Sequence, residues 1–408
     1  MDALSYLFSL EQFGIKFGLD NIRALLARLG DPQRAFRTIH IAGTNGKGSV
    51  TAMIDTVLRT AGHTSARFTS PHLVDLSERF VINGRAVGAA EMRRAAEDIQ
   101  RAIEASLADG TIGARPTFFE ANTAMAFDLF RRAAVEFGVI EVGLGGRLDS
   151  TNVVEPIVTA ITSIDFDHQQ YLGNTLKDIA AEKAGIIKPG VPVVVGDVTP
   201  EAFAVIEDVA RRQGAPLIRS DQAAREYEPI RLGLRGAHQA GNARVAMRVL
   251  ETLERLGVTI GVQAIVDGLT NVTWPGRLEH RTLANGGELI LDAAHNPAGA
   301  AALASYLRAL GGPRPTLVFG AMRDKDVDGM LAELLPAVGR VVVTRPSNPR
   351  AADPDELAAR IRAIAPSLRT DVVASPAKAV EDAATSSPLV VVAGSIFLLG
   401  DVMQELGA

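Results

Sequence analysis

The stretch from Arg37 to Ser49 constrains this chain more than any other. An apolar run, Arg37–Ala42, leads straight into Gly43-Thr44-Asn45-Gly46-Lys47-Gly48-Ser49, and an apolar helix follows from Val50 to Leu58. Strand, glycine-rich turn and helix in immediate succession fit a parallel α/β sheet with the turn at the carboxyl end of the strand. The glycines let the backbone fold tightly around an anion, and the helix start offers unpaired N–H groups and a positive dipole end. Lys47 is placed for the β/γ-phosphates of a nucleotide, and the hydroxyl of Ser49 for Mg²⁺. The spacing departs from a strict P-loop, because Gly48 separates Lys47 from the hydroxyl and Ile41 stands at the first glycine position. A plain glycine-rich turn carrying one lysine is the alternative.

The same alternation continues along the chain. Phe137–Val142, Ile157–Ile164 and Val191–Val195 read as buried strands, since continuous apolar runs suit a sheet covered on both faces. Glu91–Leu107, Thr117–Val135 and Thr175–Ile187 read as helices between them. The pattern restarts late, with strands at Leu289–Leu291, Thr316–Phe319, Val341–Thr344 and Leu389–Ala393. Helices at Ala298–Leu310, Pro354–Ile364 and Ala377–Ala384 separate these. The fold class expected is α/β: a P-loop-type parallel-sheet ATPase domain over residues 1–280, then a smaller Rossmann-like domain over 281–408. Trp274, Pro275 and Gly276 form the expected hinge.

Composition narrows the function classes. The 408 residues carry 42 Lys and Arg against 47 Asp and Glu, so 42 − 47 = −5, and no basic block tracks a nucleic-acid backbone. A small anion must then be held by local positive groups. Cysteine is absent, which excludes disulfides and thiolate metal sites. Met1–Glu11 lacks a basic n-region, and the apolar run Leu389–Gly400 is interrupted by Ser395 and shorter than the ~18 residues of a membrane span. The chain is expected to be cytoplasmic, with no nucleic-acid or membrane partner.

Three polar residues stand out against apolar surroundings. Glu141 closes the run Val139-Ile140-Glu141-Val142, and Asp165-Phe166-Asp167-His168 follows the next strand, both at the sheet edge where α/β proteins bind ligands. Mg²⁺ chelated by a triphosphate needs only one or two protein groups. Glu141 and His168 suit that task, although strand-end polar residues also cap turns. Lys183 is odder, because helical spacing places it on one face with Ile179, Ala180, Ile186 and Ile187. Such a lysine either snorkels to water or sits desolvated, available as a neutral amine for chemistry or modification.

At this point the chain resembles the Mur ligase superfamily, in the version of folylpolyglutamate synthase and dihydrofolate synthase. The matching motifs run from His40–Ser49 through Ser70-Pro71-His72-Leu73 and Glu141–Asn152 to Glu182–Gly190, Pro275–Glu279 and Asp292–Pro297. The resemblance implies that ATP converts a substrate carboxylate to an acyl phosphate, and that the amine of L-glutamate then displaces phosphate. It implies Ser70, Glu141 and His168 as Mg²⁺ ligands with Ser49 assisting, and Lys183 as a carbamate able to hold a second Mg²⁺. K⁺ is a further candidate cation. Asn45, Gly46, Lys47, Gly48, Ser49, Asn242, Arg277, Asp292 and Asn296 are implied in ATP binding, and Lys47, Lys183 and His295 in catalysis. The pterin-side pocket draws on Gly18, Leu19, Asp20 and Asn21, on Thr117, Phe118, Phe119 and Glu120, and on Leu148, Asp149 and Ser150. Lys325 and Ser395 are nominated for glutamate, although a solvated loop lysine is an equal reading of Lys325. The acid substrate expected is dihydropteroate, a reduced folate, or both, and the expected state is a monomer.

Two competing readings remain. A cell-wall Mur ligase carries an additional N-terminal domain, whereas here the phosphate loop begins by residue 43. A P-loop switch or binding module has no need of a second lobe with Arg277 and Asp292.

Overall fold

The computed structural model describes residues 2–14, 18–222, 225, 228–283 and 285–406. Two compact units can be distinguished, one of residues 1–164, 169–233 and 241–272, the other of residues 165–168, 234–240 and 273–408.

The first unit is built on an eight-stranded sheet. Its strands are β1 (Arg37–Ala42), β2 (Ser65–Phe68), β3 (Phe80–Ile82), β4 (Arg85–Ala86), β5 (Phe137–Glu141), β6 (Pro156–Ile161), β7 (Val193–Val195) and β8 (Leu217–Arg219). They run in the order β4-β3-β2-β5-β1-β6-β7-β8. β1 lies between β5 and β6, parallel to both, with Ile41 opposite Glu141 and Ala42 opposite Ile161. That register places the phosphate loop, Glu141 and the residues after β6 at one end of three adjacent strands, as parallel pairing requires. Apolar side chains cover both faces. One core gathers Phe68, Phe80 and Ile140 with Phe127 and Phe130 of the helix Phe118–Arg132, and the other gathers Ile161, Val193 and Val195 with Ile179 and Ile206. The helix Lys47–Thr60 lies against the helix Val262–Asn271, where a Cβ on Gly268 would stand 2.7 Å from Val57 Cα. That close crossing requires glycine.

Sequence expectations are corrected in this unit at several points, among them the helix expected over 117–135, which ends at Arg132. The sheet is not wholly parallel, because β3 and β4 form an antiparallel edge. The strand expected over 157–164 ends at Ile161, since Thr162 and Ser163 turn their hydrogen bonds to the phosphate loop. The helix expected over 175–187 ends at Ala184. A Cβ on Gly185 would lie 2.3 Å from Arg147 Cβ, and Asn152 Nδ2 donates to the Gly185 carbonyl, so the chain leaves the helix there. Ile186 and Ile187 are nonetheless buried.

The second unit carries a six-stranded sheet of β9 (Glu279–Thr282), β10 (Glu288–Leu291), β11 (Thr316–Phe319), β12 (Arg340–Val343), β13 (Arg369–Val372) and β14 (Leu389–Ala393). The order is β13-β12-β11-β14-β10-β9, parallel except for β9 at the edge. Leu303, Leu307, Leu331 and Leu357 from its helices close over Leu317, Val341 and Val391. Among the described residues, no helix is long and apolar enough to cross a membrane.

Candidate active site

In the first unit the loop between β1 and the helix Lys47–Thr60 is held from beneath by the residues after β6. Thr44 N donates to the Ser163 carbonyl at 2.9 Å, Asn45 N to Ser163 Oγ at 3.0 Å, and Thr162 Oγ1 donates to the Asn45 carbonyl at 2.6 Å. Glycine is required at both bends. Gly46 has φ +84°, and a Cβ there would lie 2.2 Å from Asn242 Oδ1. Gly43 has φ +151°, and its Cβ would lie 1.9 Å from Thr162 Oγ1. The loop therefore rests directly on Asn242, one of the residues assigned to ATP. Gly48 and Ser49 are buried in the first helical turn, and Lys47 Nζ curls back to the Thr44 carbonyl at 3.1 Å.

Gly46→Ala is expected to raise the KM for ATP by at least about tenfold, because an L-residue at that φ costs roughly 1–3 kcal/mol and the Asn242 amide must move. Steady-state kinetics on Gly46→Ala and wild type check this. A KM within twofold of wild type would contradict the packing argument.

Lys183 does not reach for water. It is 4% exposed, and its Nζ donates to the Gly43 carbonyl at 3.0 Å, so a buried amine touches the phosphate loop itself. Glu141, at the end of β5, is 5% exposed, and its Oε2 accepts the Ser70 N–H at 3.3 Å. Among the described residues there is no group of three or more His, Asp or Glu that could hold a metal by itself. The hard oxygen donors Glu141, Ser70 and Ser49 fit a Mg²⁺ ion that takes most of its ligands from phosphate and water.

The residues nominated for the acid substrate differ in how they are engaged. Thr117 and Glu120 form a capping box, with Glu120 N on Thr117 Oγ1 at 3.2 Å and Thr117 N on Glu120 Oε2 at 2.7 Å. The two phenylalanines part company. Phe119 stacks on Phe68 at 5.9 Å and its ring fills the place where a Gly143 side chain would stand, while Phe118 lies between Phe8 and Arg79. Asp149 accepts from Leu144 N, Thr151 N and Thr151 Oγ1, and burial raises its carboxyl against those hydrogen bonds. Leu148 is half-buried and Ser150 buried in the same turn. Gly18 and Leu19 precede the helix Asp20–Arg28, whose Asn21 Nδ2 donates to the Ala114 carbonyl at 3.3 Å.

In the second unit, Asp167 gathers four of the nominated residues. Lys325 Nζ lies 2.6 Å from Asp167 Oδ1 and 3.3 Å from His168 Nε2. Asn296 Nδ2 donates to Asp167 Oδ2 at 3.3 Å, and His295 Nε2 lies 3.5 Å from the same oxygen. Burial opposes the charged carboxylate, but the His295 hydrogen bond and the charges of Lys325, His168 and His295 outweigh it and hold Asp167 far below the usual range. Lys325 is thus not a solvated loop lysine. Asp292 Oδ2 accepts Leu278 N at 2.9 Å and Oδ1 accepts Ala294 N at 3.0 Å; burial raises it, against the charge of the nearby Arg277. Ser395 Oγ caps the helix Ile396–Glu405 through Phe397 N.

Sequence reading gave no separate role to Thr162, Ser163, His40 and Arg79, and it took Asp167 only as part of the acid/imidazole group Asp165–His168. His40 is fully buried and donates through Nε2 to Thr151 Oγ1 at 2.8 Å, which in turn donates to Asp149, tying β1 to the Asp149 turn. Burial, with the charge of Lys188, pushes the imidazole down to about 3, so it is a neutral strut. A histidine inside a hydrophobic strand was the available signal.

Comparison with known proteins adds a separate line of observation. Residues 41–207 match the Mur ligase middle domain, and residues 276–396 match the Mur ligase glutamate ligase domain. The chain is 36% identical to the dihydrofolate synthase/folylpolyglutamate synthase of Bacillus subtilis, covering 99% of this chain and 98% of that one. The structure is similar to Mycobacterium tuberculosis folylpolyglutamate synthase complexed with ADP and AMPPCP, with TM-score 0.91 and 34% identity over 100% of this chain and 99% of that one. It is also similar to the bifunctional folylpolyglutamate synthase/dihydrofolate synthase of Yersinia pestis complexed with AMPPNP and Mn ion, with TM-score 0.87 and 30% identity over 100% and 98%.

Proposed function

We propose, from the premise that this chain belongs to the folylpolyglutamate synthase/dihydrofolate synthase family of Mur ligases, that it joins L-glutamate to a folate-type acid at the expense of ATP. The single observation that carries the chemistry is the phosphate loop seated on Asn242, with the buried Lys183 amine on its Gly43 carbonyl.

A carboxylate is a poor acceptor for an amine because oxide does not leave. Transfer of the γ-phosphoryl group converts that oxygen into phosphate, a good leaving group, and the glutamate amine then attacks the carbonyl carbon. Lys47 and the loop N–H groups hold the phosphates in line and offset the charge that spreads over the transferred group. Glu141, Ser70 and Ser49 would hold Mg²⁺, with His168 as a further ligand. When bound, the ion neutralises phosphate charge and orients the phosphoryl oxygens. Lys183 as a carbamate would supply an anion for a second Mg²⁺, and K⁺ remains a candidate activator. Arg277, Asp292, Asn242 and Asn296 are assigned to ATP, Lys325 and Ser395 to glutamate. In the second unit Asp167 keeps Lys325 and His295 in fixed positions. Residues 1–280 are assigned as the ATP- and folate-binding domain and residues 281–408 as the glutamate-ligase domain, which adds Asp292 and Asn296 to the ATP set, in a cytoplasmic enzyme.

Both dihydropteroate and a tetrahydrofolate are proposed as substrates, supported by the Arg147-Leu148-Asp149 turn and by the divided roles of Phe118 and Phe119. Glutamate addition should be detected by mass with each acid. Extension of a tetrahydrofolate with no addition to dihydropteroate would reduce the activity to polyglutamylation.

A further inference from the structure

Arg79 has no part in the assignments above, yet it is the most unusual cation of the first unit. It closes the short helix Leu76–Arg79 and is 7% exposed. Its Nε donates to His72 Nδ1 at 2.9 Å, and its guanidinium carbon lies 5.3 Å from the Phe118 ring centroid. Among the described residues no carboxylate forms an ion pair with it, and its terminal nitrogens have no hydrogen-bond partner. Glu11, Glu141 and Glu78 are the acids that act on it from a distance. Glu78 is committed elsewhere, because its oxygens accept the N–H groups of Leu73, Val74 and Asp75.

A guanidinium this deeply buried is ordinarily paired. Here one edge is used to fix its orientation on His72, and the outer fork is left with donors in the geometry that grips a carboxylate through two parallel hydrogen bonds. The surroundings say which carboxylate. On one side is Phe118, from the segment assigned to the pterin side of the acid. On the other, His72 belongs to the Ser70–Leu73 loop, whose Ser70 N–H rests on Glu141, a residue assigned to the phosphoryl end. Between the ring system of such an acid and the phosphoryl-transfer site lies the carboxylate to be activated.

We propose that Arg79 binds the carboxylate of the acid substrate before its phosphorylation, and so selects an aryl acid over a neutral analogue of the same shape. The proposal rests on the ligase reading. It gives Arg79 a role in substrate affinity and alignment that a mere clamp on the 70–79 segment lacks.

The test is a binding cycle on the full chain with pteroate and its carboxamide, measured by calorimetry against wild type and Arg79→Gln. Wild type should prefer the acid by at least about tenfold, as expected for a charge-assisted hydrogen-bonded pair. Arg79→Gln should bind acid and amide alike, with amide affinity unchanged and ATP affinity within twofold. An acid preference that survives in Arg79→Gln, or equal weakening of both ligands, would overturn the proposal. Should Arg79→Gln fail to fold, Arg79→Lys decides: a preference cut several-fold supports direct contact, and an unchanged preference overturns it. Wild type that binds neither compound would sink the folate reading itself, and this inference with it.

Discussion

Lys47→Ala is expected to remove ligase activity by at least roughly a thousandfold in kcat/KM, equivalent to about 4 kcal/mol of transition-state stabilisation. The side chain is half-buried in the first turn of the helix Lys47–Thr60, and its Nζ lies on the Thr44 carbonyl at 3.1 Å, inside the loop it serves. With phosphates bound, that ammonium is the loop's own point charge against the β/γ oxygens, and no other side chain between Gly43 and Ser49 is cationic. Alanine preserves the helix, whose apolar residues Val50, Met53, Ile54 and Val57 are wholly buried. Thermal unfolding should therefore shift little while ATP affinity collapses. Turnover within a few-fold of wild type would remove the phosphate-loop assignment.

Lys183→Ala is expected to be comparably damaging for a different reason. A long side chain 4% exposed, ending on the Gly43 carbonyl, places its amine where an ammonium would stand against bound Mg²⁺. Carbon dioxide adds only to the neutral amine, which burial favours, and the resulting carbamate is an anion suited to the metal. Loss of the lysine also leaves the Gly43 carbonyl without this donor, at a cost of about 1–3 kcal/mol in stability. The expected signature is an activity loss much larger than the fall in melting temperature, with partial rescue by acetate or a similar short carboxylic acid. Intact-mass measurement under bicarbonate at mildly alkaline pH should show the added carbon dioxide on wild type and not on the variant. A wild-type mass that never gains it, with no rescue of the variant, would leave Lys183 as a hydrogen-bonding strut.

The fold was legible where the signal is local. β1, β11 and β14 and the helix Pro354–Ile364 begin and end where the apolar runs do, because buried parallel strands need uninterrupted apolar sequence. Short edge strands such as β4, only Arg85–Ala86, carry no period to detect. The helix end at Ala184 was hidden because its cause is tertiary: Gly185 is needed for the approach of Arg147, distant in sequence. The site divides in the same way. Lys47 was visible from the glycine-rich turn between strand and helix, and Glu141 and Lys183 as polar residues breaking apolar patterns. Thr162 and Ser163 were not, since their task is to hydrogen-bond a loop more than a hundred residues earlier, and nothing in a run of small polar residues announces that. Arg79 was hidden for the opposite reason: an arginine in a polar segment looks solvated until its burial is seen.

The most direct measurement follows the oxygen. Dihydropteroate labelled with ¹⁸O in its carboxylate is incubated with ATP, Mg²⁺ and L-glutamate, and the released phosphate is examined by ³¹P NMR. Activation through an acyl phosphate predicts one labelled oxygen in inorganic phosphate for each amide formed, with ADP as the other product. Unlabelled phosphate, or AMP and pyrophosphate in place of ADP, would contradict it.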